Sequence, residues 1–273
     1  MKKKIFVMLL FCVVTCLNAQ NNRFIYEYTY ISDSLSNVKS SEIIRLDIIN
    51  EKSVSYGEKK FKFDSIRVEN SKKGIREMTP PSEKFYSDMV IKNIFESKIT
   101  YLTYLANNKL IVDENNEFIW KLLPNYSLIL GYKVQEAETT FRGRTWRAWF
   151  SSDLPISDGP YKFRGLPGLI FKVYDTTCSH KFEIISIKNI DTYVFPEVRD
   201  YIDKIEVNYS SYQNLFKKNR DNPVAHLIGK IPDYYDADGN FVSGTLKLRE
   251  IEKIDKEEIK KNNNILEIDL IKR

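Results

Sequence analysis

Short runs in which aromatic or branched apolar residues recur at every second position bound this chain's architecture more tightly than any other feature. They occur at 24–31 (FIYEYTYI), 41–49 (SEIIRLDII), 60–68 (KFKFDSIRV), 98–105 (KITYLTYL), 127–136 (SLILGYKVQE), 139–150 (TTFRGRTWRAWF), 168–174 and 181–190. A period of two sends alternate side chains to opposite faces of a pleated strand. Helical patterns are few, and none recurs between successive strands as the crossovers of a parallel sheet require. The runs therefore predict a mainly β fold of consecutive antiparallel strands with a few helices. Composition agrees: 17 Tyr and 16 Phe stand against 10 Gly and 9 Pro, a balance suited to aromatic sheet faces.

Two helices are expected, with a third segment either helical or irregular. One spans 82–95, capped by Ser82, with Phe85, Met89 and Ile94 on a face. A second spans 209–218, begun by Ser210 or Ser211, and a Lys- and Glu-rich third segment, 246–261, is a solvated helix or irregular. No repeat, low-complexity tract or linker divides the chain, so residues 20–273 are expected to form one domain.

Residues 1–19 read as a signal peptide: Lys2, Lys3 and Lys4, an apolar run from Ile5 to Val14, and a small residue at Ala19 for cleavage. Thr15 is a poor residue before Cys16 for a lipid-anchor site. The expected product is exported, periplasmic or secreted, and not membrane-spanning. Removing three lysines and no acid lowers the net charge from +5 to +2, which leaves little electrostatic basis for nucleic-acid binding. Cys178 is then the sole cysteine, so no intramolecular disulfide is possible.

The segment 163–175, FRGLPGLIFKVYD, contains the strongest turn signal. Leu166-Pro167-Gly168-Leu169 fits a type II turn, with Gly168 supplying positive φ, and Ser157-Asp158-Gly159-Pro160 gives a second reversal. Gly159, Pro160, Gly165, Leu166, Pro167 and Gly168 are thus first a backbone device.

Residues 131–175 resemble the signature region of the GLPGLI family, secreted proteins found largely among Bacteroidetes. The resemblance rests on Gly131-Tyr132-Lys133, Ala148-Trp149-Phe150, Leu154-Pro155, Gly159-Pro160 and Gly165 to Ile170. The NNNILEIDL ending is similar to the family's, with Asn264 where proline is usual, and Val134 replaces a common cysteine. What the resemblance implies is an exported protein of undefined biochemical role.

Along 140–150, alternation puts Arg142, Arg144, Trp146, Ala148 and Phe150 opposite Phe141, Thr145, Arg147 and Trp149, and 168–174 is likewise apolar on both sides. Both faces must therefore be covered. A single curved antiparallel sheet, half-barrel-like as in periplasmic lipoprotein carriers, with a helix or two in its concavity, meets that need; a β-sandwich is the alternative.

No catalytic set, metal site or cofactor motif emerges. Cys178 and His180 sit in a turn without a third ligand. His226 reads as a packed or capping residue. The acidic stretch 233–241 lacks the spacing of a calcium loop, and Asp238-Gly239 is a hairpin turn. Asp153 and Asp158 are turn aspartates that could serve as paired acids only if they converge. The strongest binding candidate is the cationic and aromatic group Arg142, Arg144, Trp146, Trp149, Tyr161, Phe163 and Arg164, with Arg147 and Lys162, which suits a carboxylate, a phosphate or an acidic partner segment. The expected function is an exported, non-catalytic binding or accessory protein of the cell envelope, acting on a protein, peptide or amphiphile. Alternatives are a secreted hydrolase using Asp153 and Asp158, and a structural component of an outer-membrane assembly.

Overall fold

The computed structural model describes residues 21–75, 86–106, 108–190 and 204–272, so the expected signal peptide lies outside it. A first meander comprises β1 (Asn22–Tyr30), β2 (Ser40–Ile49), β3 (Lys52–Gly57), helix α1 (Glu58–Lys72), β4 (Met89–Asn93), β5 (Lys98–Leu105) and β6 (Asn108–Asn115). A second comprises β7 (Lys121–Ile129), β8 (Tyr132–Phe141), β9 (Arg144–Ser151), β10 (Leu169–Asp175) and β11 (His180–Asn189). There follow β12 (Lys204–Asn208), α2 (Tyr209–Asp221), a small hairpin of β13 (Tyr234–Tyr235) and β14 (Phe241–Val242), and α3 (Gly244–Lys261).

Strand β1 pairs with both β2 and β11, which welds the two meanders into a 12-stranded sheet of order β12-β6-β5-β4-β3-β2-β1-β11-β10-β9-β8-β7. Every neighbouring pair is antiparallel except β12 with β6, which run parallel. The sheet is therefore mixed, and β7 and β12 are its free edges, so it is neither a closed barrel nor a sandwich.

The sheet is also strongly curved. Arg142, in the turn between β8 and β9, forms an ion pair with Glu114 on β6. Strand β6 is eight spacings from β9 and nine from β8 in the sheet, or roughly 40 Å if it were flat. Only wrapping brings them into contact.

The concave face buries Phe24, Tyr26, Ile44, Leu46, Val112, Trp146 and Phe182 with residues from three covering segments: Tyr161 and Phe163 from the β9–β10 connection, Tyr212 from α2, and Leu270 near the C-terminus. On the other face Phe61 of α1 packs on Val54, Tyr56 and Met89. Both faces carry apolar cover, as the two-sided strands demanded.

Several local expectations are corrected. Residues 60–68 lie in α1 rather than a strand: the Lys-Phe-Lys-Phe alternation imitates period two, but Lys62 pairs with Glu58, Lys60 with Asp64, and Arg67 lies over the Phe63 ring, all at helical spacing. The predicted helix 82–95 is instead strand β4 over 89–93, with its first residues outside the described ones. Its alternation was concealed because Lys92 occupies an inward position. The runs 127–136 and 139–150 are each a hairpin, folded at Leu130-Gly131 (φ +49° and +83°) and Arg142-Gly143 (φ +50° and +77°). Positive φ at both central residues defines the tight primed turn, and Leu or Arg in its first place disguises the signal. Helix α2 starts at the expected residue, capped by Asn208, whose side chain accepts from Ser211 N, and 246–261 is helical within α3.

Candidate functional site

The Gly-Leu-Pro-Gly segment closes the concavity. Gly168 N donates to Leu166 O (2.8 Å), while Leu169 N donates to Leu154 O (2.9 Å), so the reversal is a three-residue turn and not the expected type II. Glycine is needed at 168 for proximity: a Cβ there would lie 2.1 Å from Ser151 O. At Gly159 a Cβ would lie 2.8 Å from the Ile170 Cβ. Pro160 O accepts from Phe163 N, and Leu166 is buried. Past Gly165, whose φ is +93°, the chain turns back toward β10.

Cross-links pin this connection to the far strands. Lys92 on β4 lies 2.5 Å from the Asp158 carboxylate and donates to Gly159 O (2.7 Å), with both side chains fully buried. Burial holds the Lys92 ammonium below its usual range, and Asp158 opposes that shift. Arg164 donates to Asn93 O and Ile94 O, and its own carbonyl accepts from Trp120 Nε1.

The predicted cationic and aromatic cluster is thus not a surface grip. Trp146, Tyr161 and Phe163 are buried, and Trp149 is half-buried. Arg144 donates to Asp175 (3.0 Å), the Asn264 side chain (2.6 Å) and the carbonyls of Ile265 and Leu266. Arg142 bonds Glu114 and lies with its guanidinium 3.4 Å from the Tyr209 ring centre. Half-buried Arg147 is held by Glu136 and Glu138. Each of these guanidinium groups therefore has a carboxylate or carbonyl of this chain as its partner.

Lys162 is the centre of what the structure does bring together. It lies 2.5 Å from Glu114 and 2.6 Å from Glu267, with the Tyr101 ring centre 3.9 Å away. Tyr161 and Tyr209 donate to Glu267 at 2.7 and 2.8 Å. Burial alone would raise the Glu267 pKa, but Lys162 and Arg142 hold it below the ordinary carboxylate value. Asp88, half-buried and accepting from Tyr101 and Thr103, is pushed up instead by desolvation. The sequence reading named neither Glu114 nor Glu267; the signal for them was Lys162 itself, flanked by two core aromatics and needing a counter-charge.

Residues 264–270 form a strap across the same face. Asn264 N donates to Ser32 O, its Nδ2 to Ile31 O, and Asp269 N to Arg142 O. His180 bridges β1 to the strap: Nε2 donates to Asn264 O (2.8 Å), so neutral Nδ1 accepts from Tyr28 OH (2.7 Å). Burial first, then the Arg144 charge, lowers its pKa to about 4. His180 is consequently a core residue, whereas Cys178 is exposed at φ +56°.

The remaining candidates separate. Asp158 faces Lys92, while Asp153 is exposed, so the two aspartates do not converge. Asp238-Gly239 turns the β13–β14 hairpin, and Asp236 accepts from the Asp238 and Asn240 amides. His226 lines a surface cleft of about 320 Å³ with Pro223, Asp255 and Asn262. A second surface recess, of about 230 Å³, is bordered by Tyr30, Lys39, Lys172, Tyr174 and Lys181; Glu183 pairs with both Lys172 and Lys181.

Comparison with known proteins adds a family model and a fold. Residues 89–172, a little under a third of the chain, match a family described as protein of unknown function (Porph_ging). No curated protein matches the chain. Among solved structures, PNGF-II in its C2 crystal form superposes with a TM-score of 0.52 at 19% identity, covering 74% of this chain and 34% of that one. Its P21 form gives 0.49 over the same shares. A LolA superfamily protein from Nitrosomonas europaea gives 0.25 at 9% identity, covering 64% of this chain and 89% of that one. The likeness to PNGF-II is one of fold, and the chain spans about a third of that protein's length.

Proposed function

We propose that this chain is an exported GLPGLI-type protein of the cell envelope that acts as a non-catalytic accessory module and meets its partner through its outer surface. One observation carries the reading: the concave side, where a carrier of this architecture would hold an amphiphile, is occupied by the β9–β10 connection and the C-terminal strap, locked by Lys162, Glu114, Glu267 and Arg142. A macromolecular partner at the envelope suits a filled module better than a small amphiphile does. Support also comes from the fold's occurrence as part of a longer chain, where it stands beside other structure. The hydrolase alternative loses its geometric basis with Asp153 and Asp158 apart. A structural component of an outer-membrane assembly is one form of the same surface-mediated role.

The test is gentle isolation of the protein from its own envelope, followed by native mass spectrometry. The expected species begins near Gln20, carries no small molecule, and travels with an envelope protein in fixed stoichiometry. A stoichiometric lipid or peptide bound to the isolated chain would refute the filled-module reading, and an uncleaved N-terminus would refute export through the signal peptide.

A further inference from the structure

We propose that β7 is a self-pairing edge through which two copies of this chain join into one continuous sheet. Among the described residues no strand lies beyond β7, so the outward backbone groups of its second half have no strand to pair with. Natural edges are normally guarded by charge, proline or bulges. At the other edge, β12 places exposed Lys204 and Glu206. Along 119–131 the only charged residue is Lys121. Exposed apolar groups concentrate there instead: Ile119 at 89%, Leu122 at 49%, Tyr126 at 58%, Leu128 at 71% and Leu130 at 52%.

The two halves of the strand differ. Between Leu122 and Tyr126 the register shifts, and Pro124 has no amide to donate, so that half is blunted. From Tyr126 to Ile129 the pairing with β8 is regular and ends in the primed turn. That turn fixes the backbone phase. Ile129 and Tyr132 close it as a hydrogen-bonded pair, so Ser127 also bonds inward, and Tyr126 and Leu128 turn their N–H and C=O outward.

This pattern is self-complementary. An antiparallel two-fold centred on Ser127 sets Tyr126 of one copy opposite Leu128 of the other, twice, and each pair exchanges both of its backbone bonds. The side chains of Tyr126 and Leu128 share a face, giving reciprocal aromatic–aliphatic contacts. The two-fold also places Ser127 opposite Ser127 as a pair without hydrogen bonds, with Cα atoms roughly 4.5 Å apart, inside the range a disulfide spans.

Two measurements test the pairing. Light scattering over about 1–200 µM should show a concentration-dependent dimer, and Leu128→Glu, an exposed change opposite Lys133 that sets like charges across the two-fold, should weaken it by roughly tenfold or more while leaving the thermal midpoint of the dilute monomer unchanged. In a chain with its three cysteines replaced by serine, Ser127→Cys should cross-link copies under mild oxidation, and Tyr126→Cys should do so far less. A protein that is monomeric throughout, or a dimer indifferent to Leu128→Glu, overturns the proposal. A monomer that still holds an envelope partner overturns the pairing and leaves the accessory role standing.

Discussion

At the residue scale, the account turns on charges that have been taken out of water. Lys162 has no solvent exposure and neutralises two carboxylates, so Lys162→Ala leaves buried Glu114 and Glu267 to share Arg142 alone. Breaking a buried ionic group by removing one partner costs about 3–5 kcal/mol, which urea denaturation should show as a large drop in midpoint. His180 sets a separate pH dependence. Its pKa in the fold is about 4, against about 6.5 when unfolded, so the unfolded chain binds the extra proton first. Stability should fall as pH drops from 6.5 to 4, by about 3 kcal/mol in all, and His180→Gln should flatten that slope. Glu267, with its folded pKa depressed, acts in the other window: the stability it supplies is complete above the unfolded carboxylate value and is lost as pH falls below it. What the sequence revealed at this scale was placement on faces. Trp146, Ala148 and Phe150 do point into the core. It could not reveal partners, because Lys162 and Glu267 are 105 residues apart and meet only through the fold.

Elements explain which of those placements were legible. Strands β1, β2, β5, β10 and β11 sit where the apolar runs predicted them; β1, β5 and β11 alternate buried with less buried positions, so period two shows plainly in them. Strand β4 and helix α1 were exchanged for the opposite structure, since a buried lysine in one and a Lys-Phe repeat in the other counterfeit the wrong period. The Gly-Leu-Pro-Gly connection was recognised as a reversal, but its reason differs from the one expected. Gly168 yields to the Ser151 carbonyl rather than supplying a type II turn, so Gly168→Ala should destabilise by roughly 1–3 kcal/mol or more through overpacking. In the strap, Leu270 is nearly fully buried; Leu270→Ala should cost about 2–5 kcal/mol, read from thermal or urea unfolding. A role confined to an exposed tail would leave both measurements unchanged.

For the whole molecule, two antiparallel meanders are joined at β1–β11 and wrapped until their distant parts touch. The chain then fills the resulting hollow with its own β9–β10 connection and C-terminal residues. The half-barrel architecture was legible because two-sided strands require cover on both faces. That the cover would be the chain itself was not, because the strap's anchors, Arg144, His180 and Arg142, look in sequence like free functional groups. The partner surface proposed for this chain would then lie on the outside, where β7 is the apolar edge. The strap should stay seated in the free protein, and hydrogen exchange of the peptide covering 262–272 tests this directly. The Asn264, Asp269 and Leu270 amides, bonded to the carbonyls of Ser32, Arg142 and Glu267, should exchange about as slowly as those of β1 and β11. Rapid exchange of that peptide while β1 and β11 remain protected would mean an open concavity, and would contradict the account.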